Sequence, residues 1–124
     1  MRLVDTSAWI EWLIDSPAAE LLAPSMPTLE DWLVPTLVQF ELAKWTMREQ
    51  GEAERDSALA YSRTCIVVPL TTSIAVRAAE FSAAHKLATA DAVIYATAQE
   101  HGAELLTCDA HFRDLPGVIL VEKT

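Results

Sequence analysis

The sequence predicts an α/β sandwich: a central parallel sheet of about four or five short strands, covered by helices on both faces. Three observations carry this. Short apolar runs alternate with helix-length segments along most of the chain, the pattern of a parallel sheet whose crossovers are helices. No repeat, low-complexity tract or linker interrupts that alternation. The chain is 124 residues long and 52% hydrophobic, one domain's worth over residues 1–124, with a core that needs no metal or disulfide staple.

The elements follow in order. "RLVD" (2–5) is a first strand, and "TSAWIEWLID" (6–15) a helix with Trp9, Leu13 and the Ile10–Ile14 pair at helical spacing. Pro17, Pro24 and Pro27 break up the next stretch and leave room for a short helix at 17–23. "DWLVP" (31–35) is a second strand, closed by its proline. Residues 36–51 form a strong helix with a stripe of Val38, Leu42 and Trp45, and Gly51 fits its stop. A more polar helix spans 52–63. "CIVVPL" (65–70) is a β-branched, buried strand. Alanine-rich helices occupy 72–86 and 89–101, and "AELLTCD" (103–109) and "VILVE" (118–122) are the last strands.

The net charge is −9, and before Lys44 a single base, Arg2, stands against seven acids. Such a chain is a poor non-specific nucleic-acid binder, since phosphate contact is driven by Lys and Arg. The acids are either solubilising charge or in part a pocket awaiting a cation. Cys65 and Cys108 lie far apart, outside any Cys-x-x-Cys pattern. With no signal peptide they are expected as free thiols in a reducing cytoplasm. No apolar run reaches the roughly 18 residues that span a bilayer.

Four acids stand out by position. Asp5 and Asp109 close the first and fourth strands, at the carboxyl rim where open α/β sheets bind ligands. Asp91 sits in the apolar run "LATADAVIYATA" (87–98) with no Lys or Arg within four residues. Glu41 is flanked at i−4 and i+4 by Leu37 and Trp45. Each has a local explanation too. Asp5 could cap the following helix, and Thr89 or Asp91 could cap the helix at 89. Asp109 could close a turn before His111, and Glu41 could pair with Lys44. Jointly they fit these roles less well, because an α/β fold can bring all four together. Two like charges 4 Å apart repel by about 4 kcal/mol at an effective dielectric of 20. Four ionised carboxylates therefore require protonation or a cation, and Mg²⁺ or Mn²⁺ suits oxygen ligands.

"VDTSAWIEWL" (4–13), "LVQFELAK" (37–44), "TADAVIYATAQEHGAELLTCDAHF" (89–112) and the closing "VILV" resemble the PIN-domain ribonucleases, most of all the VapC toxins of VapBC toxin–antitoxin pairs. The resemblance covers nearly the whole chain. It implies a PIN-like three-layer α/β/α sandwich and Mg²⁺- or Mn²⁺-dependent endonucleolytic cleavage of RNA. Carried over by position, Asp5 and Asp91 match the principal metal ligands, Glu41 and Asp109 complete the quartet, and Ser7 and Thr107 line the pocket to hold water or phosphate. Cys108 departs from the pattern, since many relatives carry a basic or amide residue there. The resemblance also implies a homodimer and a basic VapB-like antitoxin that places an Arg or Lys in the acidic pocket. Trp9, Trp12 and Trp32 are the expected anchors for that partner. Lys44, Arg48, Lys86 and Arg113 are the expected RNA-facing cations.

Two rival readings differ in their signatures. A Mg²⁺-dependent phosphoacceptor or phosphatase domain also places acids at strand ends. Receiver-like domains show adjacent acids near the first strand and a late Lys, and dehalogenase-like enzymes show Asp-x-Asp, whereas this chain has Asp5-Thr6-Ser7. A catalytically inactive PIN-like binding module would need no intact quartet.

Overall fold

The computed structural model describes residues 1–123. Five strands form one all-parallel sheet: β1 (Arg2–Val4), β2 (Trp32–Pro35), β3 (Ile66–Val68), β4 (Glu104–Thr107) and β5 (Val118–Leu120). Their order is β3-β2-β1-β4-β5. Six helices flank the sheet: α1 (Thr6–Leu13), α2 (Pro17–Leu22), α3 (Thr36–Glu49), α4 (Glu52–Ser62), α5 (Thr72–His85) and α6 (Thr89–Glu100). The predicted α/β class and element order are those observed.

The strand order has a functional consequence. The chain moves outward from β1 through β2 to β3, then returns across β1 to lay β4 on its other side. In β1, Leu3 lies opposite both Leu33 of β2 and Leu105 of β4. The connections leaving β1 and β4 therefore part in opposite directions, and a crevice opens beyond their carboxyl ends. Such a switch point is where open α/β sheets place their ligands.

The centre of the sheet is dry. All four residues of β2 are buried, and Leu3, Val4, Leu105 and Leu106 are fully buried. Parallel strands covered on both faces require this pattern. Trp9 and Trp32 meet with ring centroids 4.7 Å apart, and Tyr61 packs edge-on against both. Trp9 is wholly buried and Trp32 almost so. They are core residues and cannot serve as surface anchors for a partner; only the half-buried Trp12 keeps that possibility.

Several expectations shift by a residue or two. The buried stripe of α3 is Val38, Leu42 and Thr46, with Trp45 half-buried. Thr46 tolerates this because its hydroxyl donates to the Leu42 carbonyl at 2.6 Å, satisfying a polar atom that burial would otherwise strand. Strand β4 ends at Thr107, so Asp109 lies just past it, and β1 likewise ends one residue before Asp5. Cys65 precedes β3 rather than opening it. Both cysteines are free, Cys108 buried and Cys65 half-buried. Among the described residues no helix is long and apolar enough to cross a membrane.

Candidate functional site

Asp5 follows β1 and occupies the N-cap position of α1, yet its side chain makes no capping hydrogen bond. It turns instead toward β4. Its Oδ2 accepts the Ser7 hydroxyl at 2.8 Å and the Thr107 hydroxyl at 2.8 Å. Those hydroxyls are themselves fixed from behind: Ser7 Oγ accepts the Cys108 backbone N–H at 3.0 Å, and Thr107 Oγ1 accepts that of Asp109 at 2.9 Å. The two hydroxyl oxygens also stand 3.2 Å from each other, so the three side chains form one small network. Both bonds fall on Oδ2, so Oδ1 has no hydrogen-bond donor among the described residues. Ser7 and Thr107 thus both donate to one carboxylate oxygen of Asp5.

Burial of Asp5 raises its pKa from 3.8 to about 6. The Thr107 and Ser7 hydroxyls oppose that rise, while the nearby charges of Asp91 and Glu41 add to it. Three of the expected acids are therefore close enough to feel one another.

Glu41 lies one turn into α3. Its Oε1 accepts the Thr6 hydroxyl at 2.7 Å, which ties α3 to the start of α1. Among the described residues no ion pair joins it to Lys44. Asp91 belongs to the first turn of α6; the N-cap position is Ala88, and no side chain caps this helix. An N-cap role for Thr89 and Asp91 is thereby removed, while Asp91 keeps a first-turn place that the helix dipole favours. Burial raises the pKa of Asp91, and Asp109 and Glu41 raise it further against the lowering effect of His111.

Asp109 does close a turn: its Oδ1 accepts the His111 backbone N–H at 2.9 Å, opening a short 3-10 turn at Ala110–Phe112. Phe112 is wholly buried and pins that turn to the core. The turn swings the His111 ring over the acids, with Nδ1 3.3 Å from Asp109 Oδ1 and 3.5 Å from Asp91 Oδ2. One ligand atom from each of Asp91, Asp109 and His111 lies within 4.8 Å of the others. His111 was not legible as a site residue in the sequence. The available signal was its place two residues after Asp109, where an Asp-led turn folds back on itself.

The donor set fits a divalent cation. Asp91, Asp109 and His111 bring ligand atoms together, neighbouring carboxylates add to the raised pKa values of Asp5 and Asp91, and among the described residues no Lys or Arg forms an ion pair with Asp5, Glu41, Asp91 or Asp109. Oxygen donors dominate, as Mg²⁺ and Mn²⁺ require.

An all-parallel sheet with carboxylates gathered over its switch point defines a class of α/β domain built around an acidic pocket. More particularly, the chain belongs to the PIN domain family, whose model matches residues 2–118. Solved structures share the fold. A chain of a toxin–antitoxin complex from Klebsiella pneumoniae matches with 22% identity and a TM-score of 0.87, covering 100% of both chains. The VapC20 toxin of Mycobacterium tuberculosis, a sarcin–ricin loop cleaving toxin, matches with 22% identity and a TM-score of 0.70 over 87% of this chain and 88% of its own. A chain of VapBC-1 from nontypeable Haemophilus influenzae matches with 18% identity and a TM-score of 0.73 over 98% of each. At these identities the likeness is one of fold. Among curated proteins no sequence matches the chain.

Proposed function

We propose that this PIN domain is a metal-dependent endoribonuclease, the toxin of a VapBC-type pair, with Asp5, Glu41, Asp91 and Asp109 holding Mg²⁺ or Mn²⁺. The observation that carries the reading is the aimed carboxylate of Asp5. Two hydroxyls and two backbone N–H groups hold it in place, more restraint than a solubilising surface acid needs. A bound divalent ion would supply charge stabilisation at the phosphoryl oxygens and a water activated for attack.

The chain's own residues do the remaining work. Ser7 and Thr107 keep Asp5 Oδ2 occupied and leave Oδ1 without a hydrogen-bond donor among the described residues. Thr6 keeps Glu41 directed at the pocket. Asp91 from α6 and Asp109 from the turn after β4 bring two further carboxylates close together. His111, when protonated, offers Asp91 and Asp109 a counter-charge in the metal-free protein.

The partners proposed are RNA, a second copy of the chain, and a basic VapB-like antitoxin whose Arg or Lys enters the acidic pocket. A guanidinium can bind a carboxylate through two parallel hydrogen bonds and would compete with the metal. A cytoplasmic setting suits the two free thiols. The test is cleavage of RNA by purified protein, lost on chelation and restored by Mg²⁺ or Mn²⁺. No cleavage with either metal in antitoxin-free, folded protein would leave the inactive binding module as the better reading.

A further inference from the structure

We propose that Lys86 holds a backbone phosphate of the RNA strand beside Asp91. The proposal rests on the nuclease reading and assigns one piece of its substrate contact.

Phosphate binding by this chain has to come from few cations. It carries nine Lys and Arg against eighteen Asp and Glu. Arg2, Arg48, Arg55, Arg77, Arg113 and Lys123 each lie within 3.9 Å of a carboxylate. Each of these six thus has a carboxylate beside it. Lys44, Arg63 and Lys86 remain without an ion pair among the described residues. Of these three, Lys86 lines a cavity of about 320 Å³ that also holds Asp91 and His111.

The backbone at Lys86 points the same way. It stands just past α5 in the left-handed region, with φ 55° and ψ 39°. Gly and Asn are the residues that take this conformation readily, and a long side chain is disfavoured there. The turn is fixed on its far side, where the Ser82 hydroxyl donates to the Leu87 carbonyl at 2.8 Å and the Leu87 side chain is buried. The lysine therefore leaves a fixed turn at the edge of the cavity it lines, and it is exposed. An ammonium group is a compact charge with three donors, suited to a phosphate oxygen. A cation after α5 also favours the helix dipole, so the test must separate the two roles.

Lys86→Asn does so, because Asn suits the left-handed turn while removing the charge. The probe is a fluorescein-labelled, mixed-sequence single-stranded RNA of about 20 nucleotides, followed by anisotropy across a KCl series with Mg²⁺ present, in an Asp91→Asn background to prevent cutting. Lys86→Asn is expected to weaken binding roughly 3- to 10-fold and to flatten the slope of log K against log salt by about 0.7, one single-strand phosphate contact. Lys86→Arg should restore both, Arg63→Gln should change neither, and the melting temperature of Lys86→Asn should hold or rise. Unchanged affinity and slope in Lys86→Asn would overturn the proposal. So would a loss of affinity accompanied by a fall in melting temperature, which assigns Lys86 to the end of α5. If the parent binds no RNA and the wild type cuts none, the nuclease reading falls and this proposal with it. If the wild type cuts RNA and Lys86→Asn binds as the parent does, only the Lys86 assignment falls.

Discussion

The Thr107 hydroxyl donates to Asp5 Oδ2 at 2.8 Å while accepting the Asp109 backbone N–H at 2.9 Å. One buried side chain thus orients the first acid and bends the chain toward the last. Thr107→Val keeps the shape and removes both bonds. It should destabilise the protein by about 1–3 kcal/mol, the usual cost of a stranded buried partner, and raise the pKa of Asp5 further. Its pH–activity profile should shift to higher pH. A variant with wild-type stability and profile would remove Thr107 from the site.

Asp91→Asn should lose metal-dependent cleavage by roughly 100-fold or more, beyond the effect typical of residues that only support a metal ligand. Asp91 makes no N-cap bond, and burial together with the neighbouring Asp109 disfavours its charge; this offsets its first-turn place at the helix dipole, so the fold should survive with little change in the metal-free melting temperature. Circular dichroism melts and an RNA cleavage assay run side by side decide this. Wild-type cutting by the variant would discard Asp91 as a ligand.

Stability should depend on pH with a definite sign. Asp5 has a folded pKa of about 6 against an ordinary 3.8, so between those values the folded state binds more protons than the unfolded. The contribution of Asp5 to stability is fully present below its ordinary pKa of 3.8 and is lost as pH rises from there through about 6. Metal binding requires the ionised form. The rise in melting temperature on adding Mn²⁺ should therefore be small at pH 5 and larger at pH 7.5. Equal shifts at both would mean that the ion binds elsewhere.

Thr6→Val should release Glu41 by removing the bond at 2.7 Å. Cleavage should fall about 10- to 100-fold, the usual range for a residue that orients a ligand, with little loss of stability at this half-buried position. Unchanged cleavage would show that Glu41 needs no such restraint or takes no part.

The two cysteines should titrate as thiols in unfolded, unreduced protein. In the native state Cys65 should react ahead of the buried Cys108, and both slowly, because burial raises their pKa values. Finding fewer than two thiols would contradict the reduced state seen here.

By itself the sequence determined the fold class and nearly every element. Alternating apolar runs and helical segments carry their own local signals, and prolines and Gly51 mark the breaks. It also singled out Asp5, Glu41, Asp91 and Asp109, through acids set at the ends of elements or in apolar surroundings. Only the tertiary structure decided which local roles those acids refuse. Asp5 and Asp91 make no caps because β4 and the turn after it approach from a distant part of the chain. It alone placed Trp9 and Trp32 in the core, since helical spacing shows a face but not what covers it. Likewise the His111 ring comes to Asp91, and Lys86 comes to line the same cavity, only through turns whose backbone angles no residue pattern prints. Elements arise from near neighbours, and a site arises from strand order, which brings Val4 beside Leu106 across about a hundred residues of intervening chain.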